Sequence, residues 1–170
     1  MQLYYHPISS NARRVLLADG HLGIRLDLVE VNLMSEADRR RLAEVNDNGK
    51  IPVLVDDGFV LWESCAIMQY LADSKPGQTV YPMDPLARAD VNRWMFWCAA
   101  HMAPANTVLV FERFVKGMTG RGAPDPVEVA RGEALVEQFA PILDAHLAGR
   151  SWVVGERVTL ADYSLAASFA

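Results

Sequence analysis

The chain has 170 residues and a formal net charge of −5, and 51% of its residues are hydrophobic. Its lysines and arginines are scattered, and the densest run, Arg39–Arg41, lies among Glu36, Asp38 and Glu44 as on a solvated helix face, so we expect no nucleic-acid partner. The N-terminus lacks the basic and apolar regions of a signal peptide and no apolar run is long enough to span a bilayer, so we expect a cytoplasmic protein with no membrane partner.

The first 75 or so residues alternate between strand patterns and helix patterns of apolar residues. Ser35, followed three residues later by Asp38, predicts a helix start because the two side chains can form a capping box. Asp57-Gly58 between two apolar runs predicts a hairpin, because a tight hairpin turn needs positive φ angles. The predicted elements in chain order are strand 3–5, helix 12–22, strand 26–31, helix 35–45, strands 53–55 and 59–61, and helix 64–72.

The composition changes after residue 73, where three prolines fall within a dozen residues. We therefore expect a linker at 76–85, between a first domain of residues 1–75 and a second domain of residues 86–170. The second domain has helical patterns throughout. Pro104 is predicted to kink its first long helix or end it locally, and Thr159 with Asp162 to cap its last helix.

Cys65 and Cys98 form no C-x-x-C motif, and no histidines stand near them at ligand spacing. Both lie in apolar helical contexts, where a free cysteine usually behaves as a small buried hydrophobe. We therefore expect neither a metal site nor a disulfide, as in a protein of a reducing compartment.

The most informative segment is Lys50–Val53, which is followed after the hairpin by Glu63 and Ser64 at a helix start. Pro52 has no N–H and belongs at the start of a strand, and a cis bond there would turn the free backbone of Val53 towards a ligand. Ser64 would offer its hydroxyl and a helix-terminal N–H to a carboxylate, while Glu63 would accept an ammonium. Together these groups predict the binding of a γ-glutamyl tripeptide.

In residue order and spacing this segment resembles the glutathione-binding segment of the cytosolic glutathione transferases, and Thr159–Asp162 matches their Thr-x-Ala-Asp hallmark. The chain looks like a bacterial, serine-type, theta/delta-like member over its whole length. The resemblance implies a fold of class α/β + all-α, with an N-terminal thioredoxin-like βαβαββα domain followed by an all-helical domain, and a homodimer. Family members continue for several more helices, so we expect the C-terminal domain to be incomplete, either because the sequence covers only part of the protein or because the protein is naturally truncated.

Glutathione conjugation requires a thiolate, and a thiol with a pKa of about 8.5 is only a few per cent ionised at pH 7. In serine-type members the activating hydroxyl precedes the first helix, and alignment on Tyr4-Tyr5 and Arg13 places Ser9 at that position. Ser10 falls where cysteine-type bacterial members carry their cysteine, and Asn11 is a further alternative donor. Helix capping is the other role that these three residues can have.

The resemblance implies that glutathione is the co-substrate, that a small hydrophobic electrophile is the second substrate, and that no metal takes part. The leading hypothesis is a detoxifying glutathione transferase that activates the glutathione thiolate for attack on the electrophile. The alternatives are a glutathione-dependent reductase, dehalogenase or isomerase on the same fold, and a non-catalytic glutathione-transferase-like interaction domain. Lys50 is either a ligand of the glycyl carboxylate or a solvated lysine. The residues expected at the tripeptide are Ser10, Lys50, Ile51, Pro52, Val53, Glu63 and Ser64.

Overall fold

The structure is a computed structural model that describes residues 1–169. Backbone contacts divide these residues into two units, Met1–Asp84 and Pro85–Phe169. The first unit contains four strands and three helices, in the βαβαββα order that the sequence predicts. The second unit is helical, so the predicted fold class is confirmed.

The elements of the first unit are β1 (Gln2–Tyr5), α1 (Ser10–Leu22), β2 (Asp27–Glu30), α2 (Glu36–Ala43), β3 (Val53–Asp56), β4 (Phe59–Trp62) and α3 (Ser64–Ser74). The strands form one mixed sheet in the order β2-β1-β3-β4. β1 runs parallel to β2 and antiparallel to β3, which in turn runs antiparallel to β4. β3 therefore lies between β1 and β4 in the sheet.

Local signals in the sequence account for the ends of these elements. The hydroxyl of Ser35 accepts a hydrogen bond from the Asp38 N–H at 3.4 Å, which caps α2 as predicted. Asp57 and Gly58 both have positive φ, at 46° and 83°, in the turn between β3 and β4. The predicted hairpin is therefore confirmed, with its turn at the predicted residues.

The sheet of the first unit is buried on both faces at β3. Val53 and Leu54 are both fully buried, and consecutive strand residues point to opposite faces of a sheet. Val53 packs in a cluster with Val31 and Leu42, and Leu42 belongs to α2. Leu54 lies opposite Leu3 in the sheet. β3 is therefore fixed in the core and anchors the end of the loop that precedes it.

The second unit begins with a continuous helical run in which two π-helical turns, Cys98–Met102 and Phe111–Val115, interrupt the α-helix. Its helices are α4 (Pro85–Trp97), α5 (Ala103–Val110), α6 (Lys116–Met118), α7 (Pro126–Leu147) and α8 (Leu160–Phe169). Pro104 lies at the start of α5, directly after the first π-helical turn. The proline that the sequence predicts to kink or end the helix is thus accommodated by a change of helix type, because its missing N–H coincides with the altered bonding.

The carboxylate of Asp162 organises the start of α8. It accepts hydrogen bonds from the Thr159 N–H at 2.7 Å, the Thr159 hydroxyl at 2.9 Å and the Val153 N–H at 2.8 Å. The Thr159 N–H thus donates to the Asp162 carboxylate, as the capping box predicts. The Thr159 hydroxyl donates to the same carboxylate instead of accepting from a helix N–H. Of the helices in residues 1–169, none combines the length and the apolar character that crossing a membrane requires.

Both cysteines are buried, as the sequence predicts. The sulfur of Cys65 accepts a hydrogen bond from the guanidinium of Arg14 at 3.8 Å, and Arg14 is itself buried. This contact joins α1 to the first turn of α3. The Cys98 sulfur lies 3.4 Å from the Ser164 carbonyl, inside the helical unit.

Candidate functional site

A pocket of about 160 Å³ lies in the first unit, where the start of α1, the loop before β3 and the junction of β4 with α3 meet. Five of the sequence-predicted residues line it, which are Lys50, Ile51, Pro52, Glu63 and Ser64. Four further residues line it, and they are Asn11, Asn46, Asn48 and Trp62. Of these four, Asn11 is the one with a role expected from the sequence, as an alternative donor.

The junction between β4 and α3 has an unusual backbone. Glu63 has φ 71° and ψ 111°, although it is not a glycine, and it stands directly before the first residue of α3. Its carbonyl accepts the N–H of Ile67 at 2.9 Å, so it begins the helix without adopting a helical conformation. Positive φ in such a residue is typical of functional positions, where tertiary contacts maintain it.

The N-terminus of α3 is open towards the pocket. Glu63, the residue in the capping position, makes no side-chain hydrogen bond to the helix N-terminus. Ser64, the first residue of α3, lines the pocket and is 6% exposed. Since the first amide groups of a helix have no partner within it and carry a partial positive charge, this end of α3 can bind an anion together with the Ser64 hydroxyl.

The loop before β3 is held by the side chain of Asn46. Its amide nitrogen donates to the Lys50 carbonyl at 2.8 Å, and its oxygen accepts the Asn48 N–H at 3.1 Å and the Asn48 side-chain amide at 2.9 Å. Gly49 donates to the Asn46 carbonyl at 2.8 Å and has φ 60°, which closes the turn. No pattern in the sequence marks Asn46 as a residue that organises the loop.

The structure corrects the expected role of Val53. Val53 pairs with Tyr4 on β1 and with Trp62 on β4, and its side chain is fully buried. The N–H and C=O of a strand residue point towards a neighbouring strand, so a residue inside this ladder has no free backbone to offer a ligand. Ile51 precedes the ladder and lines the pocket, so its backbone is the better placed of the two. The Ile51–Pro52 peptide bond is cis.

The three candidate donors before α1 have different environments. Ser9 caps α1, and its hydroxyl oxygen accepts the Ala12 N–H at 3.2 Å. A hydroxyl that accepts through one lone pair keeps its O–H as a donor, so capping leaves Ser9 able to donate. Ser10 is the first residue of α1, and Asn11, which is exposed, lines the pocket. Of the three, Asn11 is the one placed at the pocket wall.

The charges at the pocket suit a zwitterionic peptide. Among the nine described residues that line it, Lys50 and Glu63 carry the charges, and both are exposed. Lys50 can pair with one carboxylate and Glu63 with an ammonium group, while the N-terminus of α3 can bind a second carboxylate. The remaining lining residues are mostly asparagines and apolar side chains, which offer amide hydrogen bonds and packing.

A second pocket, of about 480 Å³, lies within the helical unit and is lined by Arg93, Trp94, Trp97, Ile142, Ala145 and His146. The His146 ring packs on Trp94 with ring centres 4.2 Å apart, and its Nε2 lies 2.7 Å from the Val153 carbonyl. His146 is thus packed between helices, and its ring serves the helix packing. A binding site needs several polar groups that converge on the ligand, and the pocket of the first unit offers more of them, with three asparagines, Lys50, Glu63 and Ser64 in its wall.

Comparison with known proteins gives consistent matches over nearly the whole chain. The family model described as "Glutathione S-transferase, N-terminal domain" matches residues 3–79, and "Glutathione S-transferase, C-terminal domain" matches residues 99–170. Glutathione S-transferase D7 of Drosophila melanogaster is 32% identical over 99% of this chain and 73% of its own length. Glutathione S-transferase 3 of Zea mays is 35% identical over 95% of this chain and 73% of its own length. A delta-class glutathione transferase of Nilaparvata lugens superposes with a TM-score of 0.82 at 32% identity, covering 99% of this chain and 76% of that one.

Proposed function

Because the chain belongs to the glutathione S-transferase family and is by that kinship a glutathione transferase, we propose that it binds glutathione in the pocket of its first unit and activates the thiol for attack on a hydrophobic electrophile. The pocket with Glu63 and Ser64 supplies the binding groups. The electrophile would be a small apolar molecule, as in the detoxification reactions typical of the family. Glutathione is the co-substrate in this proposal, and the reaction uses no metal.

The observation that carries the proposal is the uncapped N-terminus of α3, which lies at the same pocket as Ser64, Glu63 and Lys50. The γ-glutamyl carboxylate would bind the Ser64 hydroxyl and the first amides of α3, and the ammonium would bind Glu63. Lys50 would pair with the glycyl carboxylate, and the backbone of Ile51 with the cysteinyl residue, beside Pro52. An anion at a helix N-terminus gains about 0.3–1 kcal/mol, and up to about 2 kcal/mol when partly buried.

The chemical task of the site is to favour the thiolate over the thiol. Lowering the pKa of the bound thiol by about two units requires roughly 2.7 kcal/mol of preferential stabilisation of the thiolate. A hydrogen bond donated by Ser9 to the sulfur, beside the N-terminus of α1, is of that size. The thiol proton leaves to solvent, and a sulfur lone pair then forms the bond to the electrophilic carbon. In a substitution, the bond from that carbon to its leaving group breaks and the leaving group departs with the electron pair; in an addition, the π-bond of the electrophile opens and its electron pair takes up a proton from solvent. Asn11 is the second candidate donor because it lines the pocket, and Ser10 is expected to contribute to binding.

Three single substitutions test the donor. In Ser9→Ala the pKa of bound glutathione, followed by ultraviolet difference absorbance of the thiolate, should rise towards about 8.5, and conjugation near neutral pH should fall roughly ten- to a hundredfold. Glutathione affinity should change little, because Ser64 and Glu63 carry the binding. Ser10→Ala should have a much smaller effect. A loss of activity in Asn11→Ala with full activity in Ser9→Ala would assign the donor to Asn11, and three fully active variants would refute the serine-type mechanism.

Isothermal titration with glutathione separates this proposal from a non-catalytic interaction domain, since fold alone does not determine function. Saturable binding is expected, and an absence of binding at millimolar glutathione would favour the interaction domain. A reductase, dehalogenase or isomerase would need the same thiolate and would differ only in its second substrate. Activity assays with disulfides and haloalkanes beside a standard aromatic electrophile distinguish these reactions.

We also propose a homodimer, as is typical of the family. The edge strand β4 exposes Phe59 by 51% and Trp62 by 46%, in agreement with an exposed hairpin that a partner could cover. Sedimentation equilibrium at micromolar concentration should give twice the mass of the chain. A monomeric mass under those conditions would refute the dimer and leave the proposed chemistry untouched.

A further inference from the structure

Asn46 is a buried polar side chain at the edge of the proposed glutathione pocket. It is 4% exposed, lies three residues beyond the end of α2 and lines the pocket. Among the described residues, its side chain forms hydrogen bonds to two residues of one short loop, Asn48 and Lys50. A buried amide with this set of partners determines the conformation of that loop rather than that of a helix or strand.

The loop of residues 46–50 needs a side-chain hydrogen-bond partner for its backbone, because it does not pair with a strand. The ladder of β3 begins only at Val53, so the backbone carbonyl of Lys50 lies outside it. The amide of Asn46 donates to that carbonyl at 2.8 Å. The turn from Asn46 to Gly49, closed by a backbone hydrogen bond of 2.8 Å, completes the constraint. Lys50 is itself exposed, so its backbone is held while its charged end is free to meet a ligand.

We propose that Asn46 is a positioning residue of the glutathione site, which acts through Lys50 by holding the Lys50 carbonyl and so directs the lysine to the glycyl carboxylate. This inference rests on the proposed function. Asn46 makes no contact with the reacting sulfur in this scheme, and its effect is confined to the glycyl end of the tripeptide. A residue that merely stabilised the first unit would instead weaken all ligands of the pocket alike.

The test compares two ligands on one set of variants by isothermal titration. Glutathione carries the glycyl carboxylate, and γ-glutamylcysteine lacks the glycine while keeping the rest. Asn46→Ala should weaken glutathione roughly tenfold, the scale of one lost hydrogen bond, and leave the affinity for γ-glutamylcysteine within about twofold. Lys50→Ala should show the same pattern, and the double variant should be no weaker than Lys50→Ala alone, because both changes remove one interaction.

Two further variants serve as controls. Asn46→Asp keeps an oxygen that can accept from Asn48 but cannot donate to the Lys50 carbonyl, so it should weaken glutathione as Asn46→Ala does. It also carries the comparison if Asn46→Ala does not fold. Asn106, in the helical unit, donates in the same way to a backbone carbonyl, that of Ser168, at 2.6 Å. Asn106→Ala should lower the melting temperature but leave the glutathione affinity unchanged.

The possible results separate this inference from the proposed function. If wild type binds glutathione but Asn46→Ala weakens both ligands equally, or its effect adds fully to that of Lys50→Ala, Asn46 only supports the fold and the inference is overturned. If wild type binds neither ligand, the proposed function fails first and the inference fails with it. A selective loss for glutathione that vanishes without Lys50 is the result that supports the inference.

Discussion

Gly132 of α7 packs closely against α5, and an added methyl group there measures that packing. A Cβ at Gly132 would lie 2.8 Å from both Cδ2 and Cγ of Leu109 and 3.3 Å from Cγ1 of Val108. Carbon atoms in proteins do not approach to 2.8 Å without displacement. Cγ is the branch point of the leucine side chain, so a change of rotamer at its tip does not relieve the contact. Gly132→Ala should therefore force Leu109 or the helices apart.

Two opposing terms set the size of the effect. Alanine is more favourable than glycine in a helix interior by about 1 kcal/mol, and inserting a carbon into a packed interface costs about 1–3 kcal/mol. Gly132→Ala should thus lower the free energy of unfolding by roughly 0–2 kcal/mol. In a Leu109→Ala background the clash is absent, and the same substitution should raise stability by up to about 1 kcal/mol. The change of sign is the signature of the contact.

Urea unfolding followed by circular dichroism measures all four species of this cycle. Gly20→Ala is a matched control, because Gly20 is an exposed residue of α1 with nothing within 4 Å of its added Cβ. That variant should gain about 1 kcal/mol from helix propensity alone. If Gly132→Ala is stabilised as much as Gly20→Ala, or if Leu109→Ala leaves its effect unchanged, the close packing of α5 on α7 is refuted.

Two further substitutions probe buried polar groups of the helical unit. The hydrogen bond from Lys116 at 2.6 Å, followed by that from the Asp125 N–H at 2.7 Å, holds the pKa of Glu112 below its ordinary 4.5. A carboxyl whose pKa is lowered in the folded state adds stability above its unfolded pKa, and this stability is lost as the pH falls. Urea titrations should therefore show Glu112→Gln to be less stable than wild type at pH 7. The difference in free energy of unfolding between the two proteins should narrow below pH 4.5. A constant gap would contradict this account. Ser164 has a fully buried hydroxyl with no hydrogen-bond partner among residues 1–169. The free energy of unfolding of Ser164→Ala should therefore exceed that of wild type or lie within about 0.5 kcal/mol of it. A loss of more than about 1 kcal/mol would reveal a partner of the hydroxyl.

Much of the candidate site was predictable because its residues stand close together in the sequence. Lys50 to Pro52 form one segment, and Glu63 and Ser64 stand together at a helix start. Residue chemistry within such short segments indicates what each can bind, and the family resemblance supplied the ligand. Residues of both segments line one pocket in the structure, together with Asn11 and Trp62.

The part that could not be predicted depends on which strands are neighbours. The sequence predicts a free backbone at Val53 because Pro52 stands at the start of a strand, but β3 lies between β1 and β4 in the sheet. Tyr4, almost fifty residues earlier in the chain, pairs with Val53 on one side. No pattern within residues 50–64 contains that information, since strand order is decided by contacts distant in sequence.

The sequence by itself determined the type and order of the elements, because caps, turns and hydrophobic periods act over a few residues. Ser35 and the Asp57-Gly58 turn are examples. Only the tertiary structure decided the hydrogen bonds that Asn46 makes and the contact of Arg14 with Cys65, 51 residues further on. The physical reason is that burial leaves a polar group few partners. Arg14 meets Cys65 only because α1 packs on α3, and Asn46 turns its amide to its neighbours in the loop only because the fold buries it.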